Sequence, residues 1–205
     1  MNVFINGFGR IGRSVLRAWA LGAAPGVQVV GINDIAAPEM CAYLFEFDSV
    51  FGPWHGTVAL EGGALVVNGR AIPLHRTPDL STLDLGGVDV VMECTGRADA
   101  AAVAGRGMQA GAARVLISGP SAAAELTVVL GANEGDLADQ KIVSNASCTT
   151  NALAPLVRLL DEAFGVVTGT MTTIHCYTGS QPTVDAPRGK GGVDDFTRSR
   201  AAALS

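Results

Sequence analysis

Two side chains in this chain have the types and surroundings for covalent chemistry at a carbonyl. Cys148 sits within Ser144-Asn145-Ala146-Ser147-Cys148-Thr149-Thr150-Asn151, which reads as the end of a strand joined to the start of a helix. A thiol at a helix N-terminus feels the positive end of the macrodipole, which stabilises the thiolate, its reactive form. The Cys148 N–H and the hydroxyls of Thr149 and Thr150 are then placed to hold an oxyanion. The same residues would also make a Ser/Thr/Asn-rich cap over a buried thiol. His175 lies in Thr172-Thr173-Ile174-His175-Cys176-Tyr177-Thr178. Beside a thiolate, an imidazole raises the thiolate fraction and can take a proton from a substrate hydroxyl. A lone histidine in a strand is also at home as a hydrogen-bonded core residue. The other two histidines, His55 and His75, lie by turns and make no case.

A third group points to a redox partner for that thiol. Gly7-Phe8-Gly9-Arg10-Ile11-Gly12 is a GxGxxG that follows an apolar run and opens a helical pattern. Such glycines permit a tight turn and close approach of a pyrophosphate to a helix N-terminus. Asp34 ends the next apolar run, 22 residues beyond Gly12. A carboxylate there accepts from ribose hydroxyls and repels a 2′-phosphate, which favours NAD over NADP. A cysteine thiolate, a base and a bound hydride acceptor together suffice to oxidise an aldehyde to a thioester.

These residues need a frame. Residues 2–6 and 27–32 read as buried strands, with a helix over 10–21 between them and another over 38–47 after them. Residues 57–60, 64–67 and 71–74 are short apolar runs split by Gly62-Gly63 and Asn68-Gly69, which predicts a small antiparallel excursion. Strands are expected over 88–92, 114–117, 128–130, 142–144 and 166–177, with helices over 98–110 and 148–164. The alternation makes the fold class α/β. A Rossmann-type, doubly wound and mainly parallel sheet over residues 1–147 is expected to precede the start of a second, α+β domain over 148–205.

Composition excludes other classes. The 205 residues are 48% apolar and 16% charged, which is a globular rather than a disordered balance. Fourteen basic against nineteen acidic residues leave a net charge of −5, an argument against nucleic acid or an anionic membrane as the main partner. No apolar run reaches the ~18 residues of a membrane span. Cys41, Cys94, Cys148 and Cys176 show no CxxC spacing and no secretion signal precedes them, so reduced thiols and a cytoplasmic location are expected. No cluster suggests a metal.

The motifs together resemble the phosphorylating glyceraldehyde-3-phosphate dehydrogenase family. NGFGRIGR at the start, YLFEFDSVFG at 43–52, ECTG at 93–96, SNASCTTN at 144–151, MTTIHCYT at 171–178 and RSRAAAL at 198–204 occur in the family's order across nearly the whole chain. The resemblance implies that Cys148 is the nucleophile and His175 its base. It implies NAD contacts at Gly7, Gly9, Arg10, Ile11, Gly12, Asp34, Arg76, Thr95, Gly96 and Ser118. Ser147, Thr149, Thr178 and Arg198 fall where the family binds substrate and phosphate oxygens. The implied reaction converts glyceraldehyde 3-phosphate and inorganic phosphate to 1,3-bisphosphoglycerate in glycolysis. A homotetramer is also implied, in which the loop from Thr178 to Arg200 packs beside a neighbour's cofactor.

The chain departs from the family in places. Ala152 stands where many relatives have a second cysteine, and Ala186 where NAD-using relatives often have a bulkier residue. Ser205 falls inside the family's catalytic domain, so the chain is expected to be part of a longer one. Two alternatives follow. One is the same chemistry on erythrose 4-phosphate. The other, should Ser205 be the true end, is a silent NAD-binding protein with Cys148 as a redox sensor.

Overall fold

The computed structural model describes residues 1–98 and 100–175. Residues 1–164 form one compact unit, and the segment from Gly165 belongs to a second. The chain begins with β1 (Asn2–Asn6), α1 (Arg10–Ala20), β2 (Gln28–Asn33) and α2 (Pro38–Glu46). Pro38 opens α2, where its missing N–H costs nothing. A two-residue ladder, β3 (Phe47–Asp48) with β4 (Gly52–Pro53), closes the turn after α2.

The antiparallel excursion is β5 (Val58–Glu61), β6 (Ala64–Val67) and β7 (Arg70–His75). Asn68 and Gly69 both take positive φ, as the tight turn between β6 and β7 requires. The far end of β7 then does more than the pattern suggested. Leu74 and His75 pair in parallel with Ile32 and Asn33 of β2. The excursion is thus stitched into the main sheet.

Next come β8 (Val90–Glu93), two short helices α3 (Ala101–Ala104) and α4 (Arg106–Gln109), and β9 (Arg114–Ile117). The last are β10 (Leu126–Thr127), β11 (Ile142–Ser144) and α5 (Cys148–Phe164). The sheet order is β10-β11-β9-β8-β1-β2-β7-β6-β5. From β10 to β7 every neighbouring pair is parallel. The parallel strands β7-β2-β1-β8-β9-β11 carry the 3-2-1-4-5-6 order of a Rossmann-type sheet. The order reverses between β1 and β8, so the carboxyl ends of those two strands flank the switch-point crevice.

Two apolar clusters cover the faces. Ile5, Leu16, Trp19, Ile32, Phe45, Leu65 and Ile72 form one, and Phe4, Leu80, Val91, Ala104, Val115 and Ile117 belong to the other. Phe45 is fully buried, stacks on Phe8 and tilts against Trp54, with the Arg17 guanidinium 5.5 Å from its ring centre. Arg17 spends its donors on the Phe45 and Glu46 carbonyls, which ties α1 to the end of α2.

Three expected elements differ. The helix over 98–110 is broken at Gly105, which caps both α3 and α4. Gly107 explains why α4 sits where it does: a Cβ there would lie 3.0 Å from Val91 and Val115. The strand over 128–130 is displaced to Leu126–Thr127, because the Asn133 side chain takes the Val129 N–H and Gly131 turns the chain at φ +83°. The strand over 166–177 is absent through His175, and its last residues lie outside the described ones. A run of β-branched residues needs a neighbouring strand, and none among the described residues pairs with it.

Phe45→Ala removes the ring that joins α1, α2 and the excursion. It is expected to cost about 3–5 kcal/mol, read as a lowered urea midpoint at unchanged slope.

Candidate functional site

The glycine turn is built by two missing methyl groups. A Cβ on Gly7, whose φ is +91°, would lie 2.7 Å from the backbone of Cys94 and Thr95. A Cβ on Gly12 would lie 2.1 Å from the Gly7 carbonyl oxygen. β1 therefore turns hard against the end of β8, and α1 starts directly beneath. Gly9 is different: a Cβ there would meet nothing within 4 Å. Gly9 is also the N-cap of α1, and no side chain caps that end. The start of α1 thus offers open space next to uncapped N–H groups, the arrangement an oxyanion fits.

Asp34 follows β2. Its Oδ2 accepts from the Phe8 N–H at 2.5 Å and its Oδ1 from the Ala36 N–H at 2.8 Å. The carboxylate thereby clamps the glycine turn while keeping lone pairs for sugar hydroxyls. At the same rim Arg76 is exposed and donates from Nε to the Ile35 carbonyl at 3.0 Å. These residues surround a cleft of about 300 Å³ whose walls include Gly7, Gly9, Asp34, Thr95, Arg97 and Arg106.

A second chamber, about 280 Å³, is lined by Ile11, Met92, Ser118, Asn145, Cys148 and Asn151 among others. Cys94 lines both chambers. Ser118 donates its N–H to the Glu93 carbonyl at 3.0 Å and its hydroxyl meets the Cys94 thiol. Gly96, at φ +69°, turns the chain after β8. Of the ten expected dinucleotide contacts, Gly7, Gly9, Ile11, Asp34, Thr95 and Ser118 line the chambers and Gly12 shapes the glycine turn. Arg10, Arg76 and Gly96 line neither chamber. The fit to a dinucleotide rests on the open space at Gly9 and on Asp34 at the cleft's edge.

Cys148 is the first residue of α5, and its thiol is exposed. Just before it, Ala146 takes φ +59°, a conformation that costs an L-residue about 1–2 kcal/mol. The turn is held from both sides. The Ala146 N–H donates to Ser144 Oγ, and Asn151 Nδ2 donates to the carbonyls of Asn145 and Ser147. Ser147 Oγ accepts the Thr150 N–H at 3.0 Å and so caps α5. Its oxygen also meets Thr150 Oγ1 at 2.8 Å, which turns the Thr150 hydroxyl to the cap. Thr149 is half-buried beside it. Further along, Pro155 packs 3.4 Å from the Cβ position of Gly131, and Arg158 donates to the Ala132 carbonyl. The helix that carries the thiol is thus pinned to the loop after β10.

The cysteines differ chemically. Burial pushes the Cys94 thiol up to about 12, although the Ser118 hydroxyl partly opposes the shift. Burial, aided by Asp34, raises Cys41 to about 11. Neither supplies thiolate near neutral pH.

His175 is exposed and belongs to the second unit, which starts at Gly165. Thr178, Arg198 and Cys176 lie outside the described residues. Among the described residues no group of His, Cys, Asp or Glu is arranged to hold a metal.

Two features escaped sequence reasoning. The first is the partner of Arg10. Its guanidinium donates to both oxygens of Asp48, at 3.1 and 3.2 Å, and Asp48 also accepts the Val50 and Phe51 N–H groups. The second is a hydrogen-bonded relay along the cleft floor. The Thr77 N–H donates to Asn33 Oδ1 at 2.9 Å, Asn33 Nδ2 to Asn6 Oδ1 at 2.8 Å, and Asn6 Nδ2 to Glu93 Oε2 at 2.5 Å. Glu93 Oε1 accepts the Thr95 N–H at 3.0 Å and the Thr95 hydroxyl as well. The visible signal was three polar residues, Asn6, Asn33 and Glu93, each ending an otherwise apolar strand.

The Phe51 and Val50 N–H groups and the Arg10 guanidinium hold the Asp48 carboxyl down at about 2. A depressed carboxyl contributes stability above its unfolded pKa of about 4 and loses it as the pH falls toward 2. Asp48→Asn is expected to flatten that part of the acid limb in a pH series of urea midpoints, with little change in its shape above pH 5.

Comparison with known proteins gives a consistent result. Residues 1–101 match the family model described as glyceraldehyde 3-phosphate dehydrogenase, NAD binding domain, and residues 147–205 match that of its C-terminal domain. The chain is 45% identical over 206 aligned positions to a glyceraldehyde-3-phosphate dehydrogenase of Clostridium pasteurianum, covering 99% of this chain and 60% of that one. It is 46% identical to the same-named protein of Xanthobacter flavus, covering 100% of this chain and 61% of the other. For glyceraldehyde-3-phosphate dehydrogenase 1 of Bacillus subtilis the figures are 44%, 99% and 60%. The chain spans about 60% of the length of these relatives.

Proposed function

Since the chain belongs to the glyceraldehyde-3-phosphate dehydrogenase family, we propose that it carries the cofactor cleft and the nucleophile of an NAD-dependent, phosphorylating aldehyde dehydrogenase. The observation that carries this reading is the second chamber, which Cys148 shares with Ile11 and Ser118. The substrate in this reading is glyceraldehyde 3-phosphate and the product 1,3-bisphosphoglycerate. Residues 1–147 form the cofactor domain and 148–205 open the catalytic one. The working state is a homotetramer in the cytoplasm, and no helix among the described residues is long and apolar enough to cross a membrane.

In this mechanism the Cys148 thiolate adds to the aldehyde carbon and forms a thiohemiacetal. The positive end of the α5 macrodipole stabilises the thiolate before attack. His175 takes the hydroxyl proton as the carbon is oxidised and leaves a thioester on Cys148. NAD, when bound, supplies the hydride acceptor. Ser147, Thr149, Thr178 and Arg198 hold the phosphate and substrate oxygens while inorganic phosphate attacks the thioester. Gly7, Gly9, Arg10, Ile11 and Gly12 seat the pyrophosphate at the start of α1. Asp34 holds the adenosine ribose, with Arg76, Thr95, Gly96 and Ser118 along the rest of the dinucleotide.

The test is NADH formation from NAD, aldehyde and phosphate. Cys148→Ser is expected to abolish it, a loss of at least ~10³-fold, while NAD binding measured by calorimetry stays within about two-fold. Undiminished turnover would remove the covalent mechanism. Offering erythrose 4-phosphate in the same assay ranks the two aldehydes.

A second expectation concerns the ribose. Asp34→Gly removes the carboxylate that repels a 2′-phosphate, so the NAD to NADP affinity ratio is expected to fall about ten-fold or more.

A further inference from the structure

The relay on the cleft floor has a fixed direction. It starts at the Thr77 N–H, which can only donate. Asn33 must therefore present Oδ1 to Thr77 and Nδ2 to Asn6, and Asn33 Nδ2 also reaches the Thr77 carbonyl at 3.0 Å. Asn6 must in turn present Nδ2 to Glu93. The far side of Glu93 meets a second obligate donor, the Thr95 N–H. Each carboxylate oxygen thus faces an N–H donor, Oε2 the Asn6 amide and Oε1 the Thr95 backbone, an arrangement that suits a carboxylate.

That charge is deeply placed. Glu93 is 2% exposed, and among the described residues no lysine, arginine or histidine pairs with it. Four strand ends contribute to holding it: Asn6 from β1, Asn33 from β2, Thr77 just after β7, and Glu93 itself from β8. The charge of a buried carboxylate whose hydrogen-bond partners are neutral is felt in a region of low dielectric.

Its position relative to the two chambers is what gives it a role. Met92 and Cys94, on either side of Glu93, line the chamber that Cys148 opens on. Thr95, bonded to Glu93, lines the other, as do Asn6, Asn33 and Thr77. Cys94, next to Glu93 in the chain, lines both chambers.

We propose that Glu93 selects the oxidation state of the dinucleotide in this cleft, favouring the oxidised form, whose nicotinamide ring is cationic, over the neutral reduced form. The inference rests on the reading of the cleft as a nicotinamide dinucleotide site. Glu93 acts as a positioning and charge-bearing residue, through Thr95 and through the field it sets, and it touches no reacting atom. Its consequence is directional: the oxidised form is retained for the next aldehyde and the reduced form is released more readily.

The test is a set of calorimetric titrations with NAD⁺, NADH and ADP-ribose, which lacks the nicotinamide. The unmodified protein is expected to bind NAD⁺ several-fold more tightly than NADH. Glu93→Gln, which keeps the shape and removes the charge, is expected to lower that ratio about 5- to 10-fold. Its affinities for NADH and ADP-ribose should change together. Glu93→Asp keeps the charge and is expected to keep the ratio, even where its shorter reach weakens all three ligands. An equal loss of all three affinities in Glu93→Gln, with the ratio unchanged, would make the carboxylate merely structural and overturn the proposal. Should Glu93→Gln not fold, the unmodified protein decides, because parity or a preference for NADH overturns it. A protein that binds none of the three, ADP-ribose included, would overturn the reading of the cleft itself.

Discussion

The close approach of the β1 turn to the end of β8 governs the site. It requires hydrogen in place of a side chain at Gly7 and Gly12, since a methyl at either would sit inside a backbone atom's radius. Once that approach is made, much else follows. α1 begins directly under the turn, its first N–H groups face the crevice, and Asp34 reaches the Phe8 N–H. Loss of the approach would separate the glycine turn from Thr95 and Cys94, and with them the wall shared by the two chambers.

Polar groups behind this surface do a second job. The sheet ends in side chains that satisfy one another across strand boundaries, so that the cleft floor is polar yet internally paired. Each amide has one orientation because the relay is anchored at both ends by backbone N–H groups. Such a floor resists rearrangement, since any one break leaves several buried groups unpaired.

Much of this was legible from residue order alone. The glycine turn, the strands over 2–6, 114–117 and 142–144, and the start of α5 at Cys148 are local features with local signals. Asn-Gly at 68–69 announced its turn for the same reason. The misread elements depended on partners. Residues 166–175 have the composition of a strand, but a strand exists only beside another. The Ala-rich stretch over 98–110 lacks a period strong enough to override Gly105. The relay was invisible because residues 6, 33, 77 and 93 are distant in sequence and meet only through strand order. His175 shows the limit most clearly, because its chemistry is readable from type while its segment, from Gly165, is a unit of its own.

The strained turn before α5 carries a consequence for how the thiol is aimed. Ser144 is fixed by sheet pairing and the body of α5 is fixed at Pro155 and Arg158, so the intervening Asn145-Ala146-Ser147 has no slack. Adding or deleting one residue there cannot be absorbed by sliding. It would have to be met by turning α5 against those contacts, and one residue's share of a turn is about 100°. The length of this linker therefore behaves as a discrete setting. The present setting leaves Cys148 on the chamber it shares with Ile11 and Ser118.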